Sequence, residues 1–282
     1  MIELKEVSFS YHKNRAGDEG VLRNVNLMVT RGDFIAIMGT TGSGKSTLIQ
    51  HMNGLLEPTR GKVFYQGENI WEKDYPRKNL RQKVGLVFQF PEYQLFEETI
   101  LKDIAFGPLN MGMSDPTSQA LKAMDKVGLP RELGEVSPFA LSGGQKRLVA
   151  IAGILAMNPE ALILDEPTAG LDARAKERIY QILTRVCKEG VPVVVVSHNP
   201  SDVVRYANRV VVLSEGEIVM DGSVKEVFSD HEQLEKAGIQ PPWTATLSRS
   251  FEEQGIPMKG AVTDEEVLEA IRNYVKKHQV HK

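Results

Sequence analysis

The feature that most restricts what this chain can fold into is an apolar run that stops at a glycine-rich loop. Phe34-Ile35-Ala36-Ile37-Met38 leads into Gly39-Thr40-Thr41-Gly42-Ser43-Gly44-Lys45-Ser46, with Thr47 next and the helix-compatible Leu48-Ile49-Gln50-His51-Met52-Asn53 after it. A run without alternation reads as a strand covered on both faces, the habit of parallel sheets flanked by helices. Glycines at its end let backbone N–H groups converge on phosphate oxygens, and the start of a helix adds positive potential there. In this pattern Lys45 reaches the β- and γ-phosphates and the Ser46 hydroxyl ligates Mg²⁺. A chance match in a chain of average composition has odds of roughly one in a hundred. The strand before and the helix after lower them further.

A second strand ends in acids. Ala161-Leu162-Ile163-Leu164 runs into Asp165-Glu166. Ligands of open α/β sheets bind at the carboxyl ends of the strands, so both carboxylates are expected at the phosphate pocket. Neighbours on a strand point to opposite sides, which suits two jobs. Asp165 can hold Mg²⁺ directly or through water, and Glu166 can polarise a water for in-line attack on a γ-phosphate.

Composition narrows the rest. The 282 residues suffice for one large α/β domain with an appendage, or about two average domains. Hydrophobic residues at 41% and charged residues at 25% exclude disordered and fibrous classes. Lys and Arg total 34 against 37 Asp and Glu, for a net charge of −3, so the basic surplus of a dedicated nucleic-acid binder is missing. The run Arg77, Lys78, Arg81 and Lys83 reads as a solvated helix face. One cysteine, Cys187, excludes an intramolecular disulfide and a Cys-rich zinc site, and fits a reducing, cytoplasmic setting. Its helical surroundings make it an expected buried residue. His12, His51, His231, His278 and His281 show no metal spacing and are expected at the surface. No signal peptide is expected at the N-terminus. The longest apolar run, residues 148–157, would cover about half a bilayer, so any membrane crossing is expected from another chain.

Along the chain, strands are expected over residues 2–11, 21–29, 33–38 and 61–67. A helical stretch over 99–129 is expected to break near Pro108 and Pro116. The apolar runs 161–164 and 191–196 read as parallel strands, and 209–213 pairs with 218–220 as a hairpin across Glu215-Gly216. Asn199-Pro200 reads as an N-cap and N1 pair. A boundary after Asp221-Gly222 separates 1–222 from a helical extension, 223–282. The latter passes through a stiff linker-like stretch, Gly238-Ile239-Gln240-Pro241-Pro242-Trp243. Its last helix opens on the capping box Thr263-Asp264-Glu265-Glu266 and carries Val267, Leu268, Ile271, Tyr274 and Val275 on one face. That face must be covered, by the core or by a neighbouring subunit, and the second is favoured.

A phosphate loop alone leaves kinases, GTPases and motor ATPases open. Leu141-Ser142-Gly143-Gly144-Gln145, upstream of the Asp165 strand, closes most of that choice. With it the sequence resembles the ATPase subunits of ABC transporters over residues 1 to about 222. The resemblance implies an α/β P-loop NTPase of the ABC ATPase type, with a mixed sheet core, an antiparallel β subdomain and a helical subdomain at about 96–160, followed here by the small helical extension. It implies ATP and Mg²⁺ as ligands, bound by Gly39, Thr40, Thr41, Gly42, Ser43, Gly44, Lys45, Ser46 and Thr47. Tyr11 looks like the aromatic that stacks on adenine. Gln89 looks like the glutamine that contacts Mg²⁺ or the attacking water and senses movement of the membrane domain. Ala169-Gly170-Leu171-Asp172 is similar to the loop that crosses the dimer interface, and His198 to the histidine that contacts the γ-phosphate. Ser142 and Gly144 would complete the site of a partner subunit, since two such domains sandwich ATP head to tail.

Phe88-Gln89-Phe90-Pro91-Glu92-Tyr93-Gln94-Leu95-Phe96-Glu97-Glu98-Thr99-Ile100, Val149-Ala150-Ile151-Ala152-Gly153 and the extension resemble more specifically the energy-coupling factor transporters. Leu148 and Ala173 depart from the common pattern without touching the chemistry. The resemblance implies a peripheral subunit on the cytoplasmic face of the cell membrane, driving import of vitamins or metal ions. Its implied partners are a second ATPase, in a heterodimer rather than a homodimer, a transmembrane coupling protein and a substrate-capturing membrane protein, with no nucleic acid. The homodimeric ATPase of a cobalt or nickel importer shares nearly every motif. A non-transport ABC ATPase fits less well: the interval from Lys45 to Ser142 has no room for a long coiled coil, and the chain has one phosphate loop.

Overall fold

A computed structural model describes residues 1–11 and 20–279. In chain order it contains β1 (Ile2–Phe9), β2 (Leu22–Val29), β3 (Phe34–Met38), α1 (Lys45–Met52), β4 (Arg60–Tyr65), β5 (Glu68–Asn69), α2 (Arg77–Lys83), β6 (Val84–Val87), α3 (Ile100–Asn110), α4 (Pro116–Val127) and α5 (Gly143–Leu155). Then follow β7 (Ala161–Asp165), α6 (Ala173–Lys188), β8 (Val193–Val196), α7 (Pro200–Tyr206), β9 (Arg209–Ser214), β10 (Glu217–Ser223), α8 (Val224–Ser229), α9 (His231–Lys236), α10 (Trp243–Glu253) and α11 (Asp264–Gln279). The chain divides into two compact units, residues 1–34 with 46–196 and residues 35–45 with 197–282.

In the first unit β1 lies between β2 and β4, antiparallel to both, with β5 beyond β4. The buried residues of β1 change parity, from Ile2 and Leu4 to Val7 and Phe9. A register shift between Leu4 and Val7, with Glu6 at φ 51°, supplies the extra residue that re-aims the strand. The other sheet segment is the parallel ladder β6–β7–β8, where Leu86 faces Ile163 and Leu164 faces Val195. Its strands are buried throughout, as alternation-free runs require. Asp165, opposite Val196, closes that ladder.

The helices α3, α4 and α5 pack together in this unit. Pro108 does not break α3, contrary to expectation. It lies buried in the last turn, where a missing N–H removes a single helical bond. The break comes after Asn110, and α4 restarts with Asp115 accepting from Ser118 N and Pro116 at its first position. On α2, Lys83 pairs with Glu160 and Lys78 donates to Asn110 O, so the basic run is a surface face with local partners. Cys187 on α6 is half-buried, with Sγ 3.6 Å from Asp33 O, and burial pushes its thiol pKa up.

In the second unit, Ile35–Met38 of β3 run parallel to Arg209–Val212 of β9, and β10 pairs antiparallel on β9. The sheet here is therefore mixed. Residues after Gly222 share its core. Phe228, Leu234, Ile239, Ala245 and Val262 cluster with Ala36, Met38, Val210 and Val212. The stretch 238–243 is thus not a free-standing linker, because Ile239 is buried and Pro242 caps α10. On α11 the apolar face is divided. Val267 and Ile271 join a small cluster with Met258, Ala261, Leu247 and Phe251, while Leu268 and Val275 stay 53% and 42% exposed.

One histidine expected at the surface is not there. His51, in the last turn of α1, is 0% exposed. Its Nδ1 lies 2.7 Å from Thr47 O, its ring meets Phe9 edge to face, and Nε2 is buried without a hydrogen bond among the described residues. The α1 sequence places His51 on the same face as Leu48, four residues after Thr47, so helical spacing carried the signal. His231 is partly buried, and His12 and His281 lie outside the described residues. Burial lowers the His51 pKa from its ordinary 6.5, outweighing the opposing hydrogen bond to Thr47. The unfolded chain binds a proton near pH 6.5 and the folded side chain resists it, so stability is complete above that value and falls as pH drops below it. Urea titrations at pH 7.5 and 5.5 should show a loss of up to about 1.4 kcal/mol per pH unit from this group. His51→Asn should show a shallower decline over the same interval. An identical slope in both proteins would contradict a neutral buried His51.

Candidate functional site

The phosphate-loop residues 39–45 belong to the second unit. Met38 ends β3, and Gly39 turns at φ 155°; a Cβ there would collide with Leu213 O and lie 2.6 Å from Ser43 Oγ. Only glycine fits that contact. Gly42 and Gly44 take φ 84° and 102°, the left-handed region that glycine enters without steric cost. Ser43 N donates to Thr40 O at 3.2 Å, and Gly216 N to Ser43 O at 3.2 Å, pinning the loop from both sides. The buried Ser43 Oγ has no hydrogen bond among the described residues. Lys45 is buried at the first position of α1, its Nζ donating to Gly39 O at 3.0 Å and Thr40 O at 2.8 Å. The ammonium is therefore folded over the loop. Thr40, Thr41 and Ser46 are exposed. His198 is also exposed, between Ser197, whose N–H donates to Ile37 O, and Asn199, whose side chain accepts from Ser201 N to cap α7.

In the first unit, Tyr11 is 56% exposed and its hydroxyl is 3.1 Å from Thr47 Oγ1, with its ring edge-on to Phe9. Thr47 itself is buried. Around β7 the strand ends at Asp165, which is buried, and Glu166 leaves it with φ 45°. The two acids are therefore separated by a left-handed turn and not by strand alternation, which corrects the expectation. A non-glycine residue held in this region costs of order 1–3 kcal/mol and marks an over-determined position. Here the holding contacts are visible. Glu166 N donates to Val196 O at 3.2 Å, Ala169 N to Glu166 O at 3.2 Å, and Gln89 Nε2 donates to Glu166 Oε2 at 3.0 Å.

Ser142 caps α5, and Gly143 to Gln145 form its first turn. Ser142 Oγ accepts from Gln145 N, and the Gln145 side chain accepts from Ser142 N at 3.1 Å, a complete capping box. The S-x-x-Q spacing in the sequence carried this signal. Ser142 Oγ caps the Gln145 N–H, and the two residues before it, Gly143 and Gly144, place no side chains over the positive helix end. Ser142 and Gly144 line a cavity of about 450 Å³ with Gln145, Asp172, Arg174 and Arg178. Asp172 caps α6, accepting from Ala175 N at 2.9 Å.

Two residues that sequence reasoning passed over sit at the centre of these contacts. Arg147 on α5 is 1% exposed. Its Nη2 donates to both oxygens of Glu92, at 2.6 and 2.8 Å, and its Nη1 to Pro167 O at 3.1 Å and Ala169 O at 2.8 Å. The signal was present in periodicity, since Arg147 falls on one helical face with the buried Ile151 and Leu155. Glu92 lies in a short 3-10 turn, Pro91–Gln94, entered through Phe90 at φ 53°. Phe90, Tyr93, Phe96 and Phe106 remain exposed around it, Tyr93 at 84%.

Known proteins point to one family. The model of the family described as ABC transporter matches residues 22–169. The energy-coupling factor transporter ATP-binding protein EcfA2 of Caldanaerobacter subterraneus is 46% identical over 279 residues, covering 98% of each chain. EcfA2 of Clostridium perfringens is 46% identical over 281 residues, covering 96% of this chain and 99% of that protein. Among solved structures, cbiO1 of Clostridium perfringens, part of the ABC transporter complex cbiONQ, superposes with TM-score 0.73 at 35% identity, covering 83% of this chain and 93% of that one. The cassette MJ0796, a dimer in a post-hydrolysis state bound to ADP and Pi, superposes with TM-score 0.70 at 32% identity, covering 79% of this chain and 99% of that one. The α/β architecture, the phosphate loop and these end-to-end likenesses agree: the chain belongs to the ABC transporter family, as one of its ATP-binding subunits.

Proposed function

We propose that this chain is the ATP-hydrolysing subunit of an energy-coupling factor importer, driving uptake of vitamins or metal ions through separate membrane proteins. The observation that carries this reading is the 46% identity to EcfA2 proteins along 98% of the chain. Among the described residues no helix is long and apolar enough to cross a membrane, which supports a subunit that works against membrane partners at the cytoplasmic face. The exposed aromatics Phe90, Tyr93 and Phe96, next to Gln89, supply an apolar surface for a transmembrane coupling protein. The Phe90-Pro91-Glu92-Tyr93-Gln94 sequence favours a heterodimer with a second ATPase over a homodimer. A substrate-capturing membrane protein completes the proposed assembly.

The residues fit ATP and Mg²⁺. Gly39 lets the loop turn tightly against Leu213 O, Ser43 Oγ is a buried polar atom with no hydrogen bond among the described residues, and Lys45 is positioned over the loop carbonyls. Residues 39–47 hold the phosphates, with Lys45 on the β- and γ-phosphates and backbone N–H groups of the loop around them. Ser46, Asp165 and Gln89 would hold Mg²⁺, which when bound would neutralise charge on the transferred phosphoryl group. Tyr11 stacks on adenine, and its hydrogen bond to Thr47 steadies the ring. Glu166, held by Gln89, takes the proton of the attacking water. His198 contacts the γ-phosphate. Ser142 and Gly144 offer the open end of α5 to the nucleotide of the partner subunit, and Asp172 lies at that interface.

Residues 1–222 are the ATP-binding cassette, with its helical part at about 96–160. The extension 223–282 serves as a subunit contact through the exposed Leu268 and Val275. Because Ala245 and Val262 also fill the core beside β3 and β9, truncation at 243 would uncover that core. Point substitutions test the contact cleanly. Leu268→Glu with Val275→Glu should weaken association at least tenfold in sedimentation velocity while leaving nucleotide affinity within twofold. Unchanged association would assign the face to solvent.

Glu166→Gln preserves shape and hydrogen bonding but cannot accept the proton, so turnover should fall about 10²- to 10⁴-fold while ATP affinity holds. An ATP-dependent dimer should then accumulate on size exclusion, and Lys45→Ala, unable to bind ATP, should never form it. Hydrolysis by Glu166→Gln within about threefold of wild type would transfer the base role elsewhere.

A further inference from the structure

We infer that Arg147 is a positioning residue for hydrolysis, holding the glutamine-bearing segment 89–92 and the turn 166–169 in one register so that Gln89 meets Glu166. The inference rests on the proposed ATPase function. It starts from a closed ring of contacts. Gln89 Nε2 donates to Glu166 Oε2; the chain continues from Glu166 through Pro167 to Ala169, whose carbonyls take Arg147 Nη1. From the same guanidinium, Nη2 and Nε donate to Glu92, at 2.6 to 3.1 Å, three residues from Gln89. Arg147 is the only member of that ring that touches both segments from outside them.

The chemistry suits the task. A planar guanidinium presents a fixed fork, so one edge can grip a carboxylate while a second nitrogen binds two carbonyls. Both segments need holding, because each carries a residue in left-handed backbone: Phe90 at φ 53° and Glu166 at φ 45°. Neither conformation persists without surrounding contacts. The Arg147 guanidinium carbon also lies 5.7 Å from the Phe90 ring centre, so the exposed aromatic surface is connected to the same group. A displacement of Phe90 or Glu92 therefore has a direct mechanical route to the carbonyls that flank Glu166. A salt bridge serving stability alone would need the Glu92 contact and not the two carbonyls.

The test separates these. In Arg147→Met with Glu92→Met, both charges leave together and the volume is retained, a replacement that commonly keeps or raises stability. Measured on the full-length chain assembled with the ATPase partner it requires, this double variant should melt near wild type, keep KM for ATP within about twofold and lose kcat on the order of 10- to 100-fold, the scale of a misplaced catalytic group. Arg147→Lys, which keeps the charge on Glu92 but loses the fork, should also lose kcat with KM preserved, and covers the case of a double variant that does not fold. In a Glu166→Gln background, Arg147→Lys should change residual hydrolysis by less than about twofold, since the group it positions is already disabled. Wild-type kcat in either Arg147 variant would overturn the inference, as would a matching rise in KM or a further tenfold loss on top of Glu166→Gln. If the wild-type assembly itself fails to hydrolyse ATP, the ATPase reading falls as well; hydrolysis by wild type with equal rates in the variants defeats only the role of Arg147.

Discussion

Where β7 stops decides what its acids can do. The strand is buried, paired with β6 as far as Leu164 and with β8 through Asp165, and the next residue enters left-handed backbone. One residue more of strand would send the Glu166 side chain to the opposite face, by the two-residue period of the pleat. The turn is maintained by Val196, Gln89 and the carbonyls gripped by Arg147, contacts drawn from three different parts of the first unit. The carboxylate is thus oriented by packing, the preorganisation on which electrostatic catalysis depends.

The phosphate loop follows the same principle with different means. Its shape comes mainly from backbone: three glycines at positive φ, a collision-free approach of Gly39 to Leu213 O, and bonds from Ser43 N to Thr40 O and from Gly216 N to Ser43 O. Side chains add one charge, the Lys45 ammonium over the loop, and one hydroxyl, that of the exposed Ser46.

Legibility followed locality. The phosphate loop, the acidic strand end, the β9–β10 hairpin and the Asn199-Pro200 cap were readable because strand, turn and helix signals lie within a dozen residues of each other. Contacts between distant segments were not. Arg147 looks like one more basic residue after Ser142, and only its helical phase hints at burial; its partners lie 20 and 55 residues away. Residue type alone sends His51 to the surface, whereas its spacing points inward. Residue habit likewise misleads at Pro108 and the 238–243 stretch, since a proline in a last turn is cheap and Ile239 has a core to fill. The bulge in β1 hid its alternation for a similar reason, since one inserted residue inverts the parity of everything after it.

The central claim is that the open end of α5, with Ser142 and Gly144, serves a nucleotide held by another subunit. The measurement that meets it most directly is ATPase rate per subunit against protein concentration, across a range that sedimentation shows to run from monomer to dimer. If each site needs residues of two subunits, the rate per subunit should rise with concentration and level off where the dimer dominates. If this chain needs its ATPase partner, the rise should follow added partner instead. Full specific activity from a sample shown to be monomeric would contradict the account.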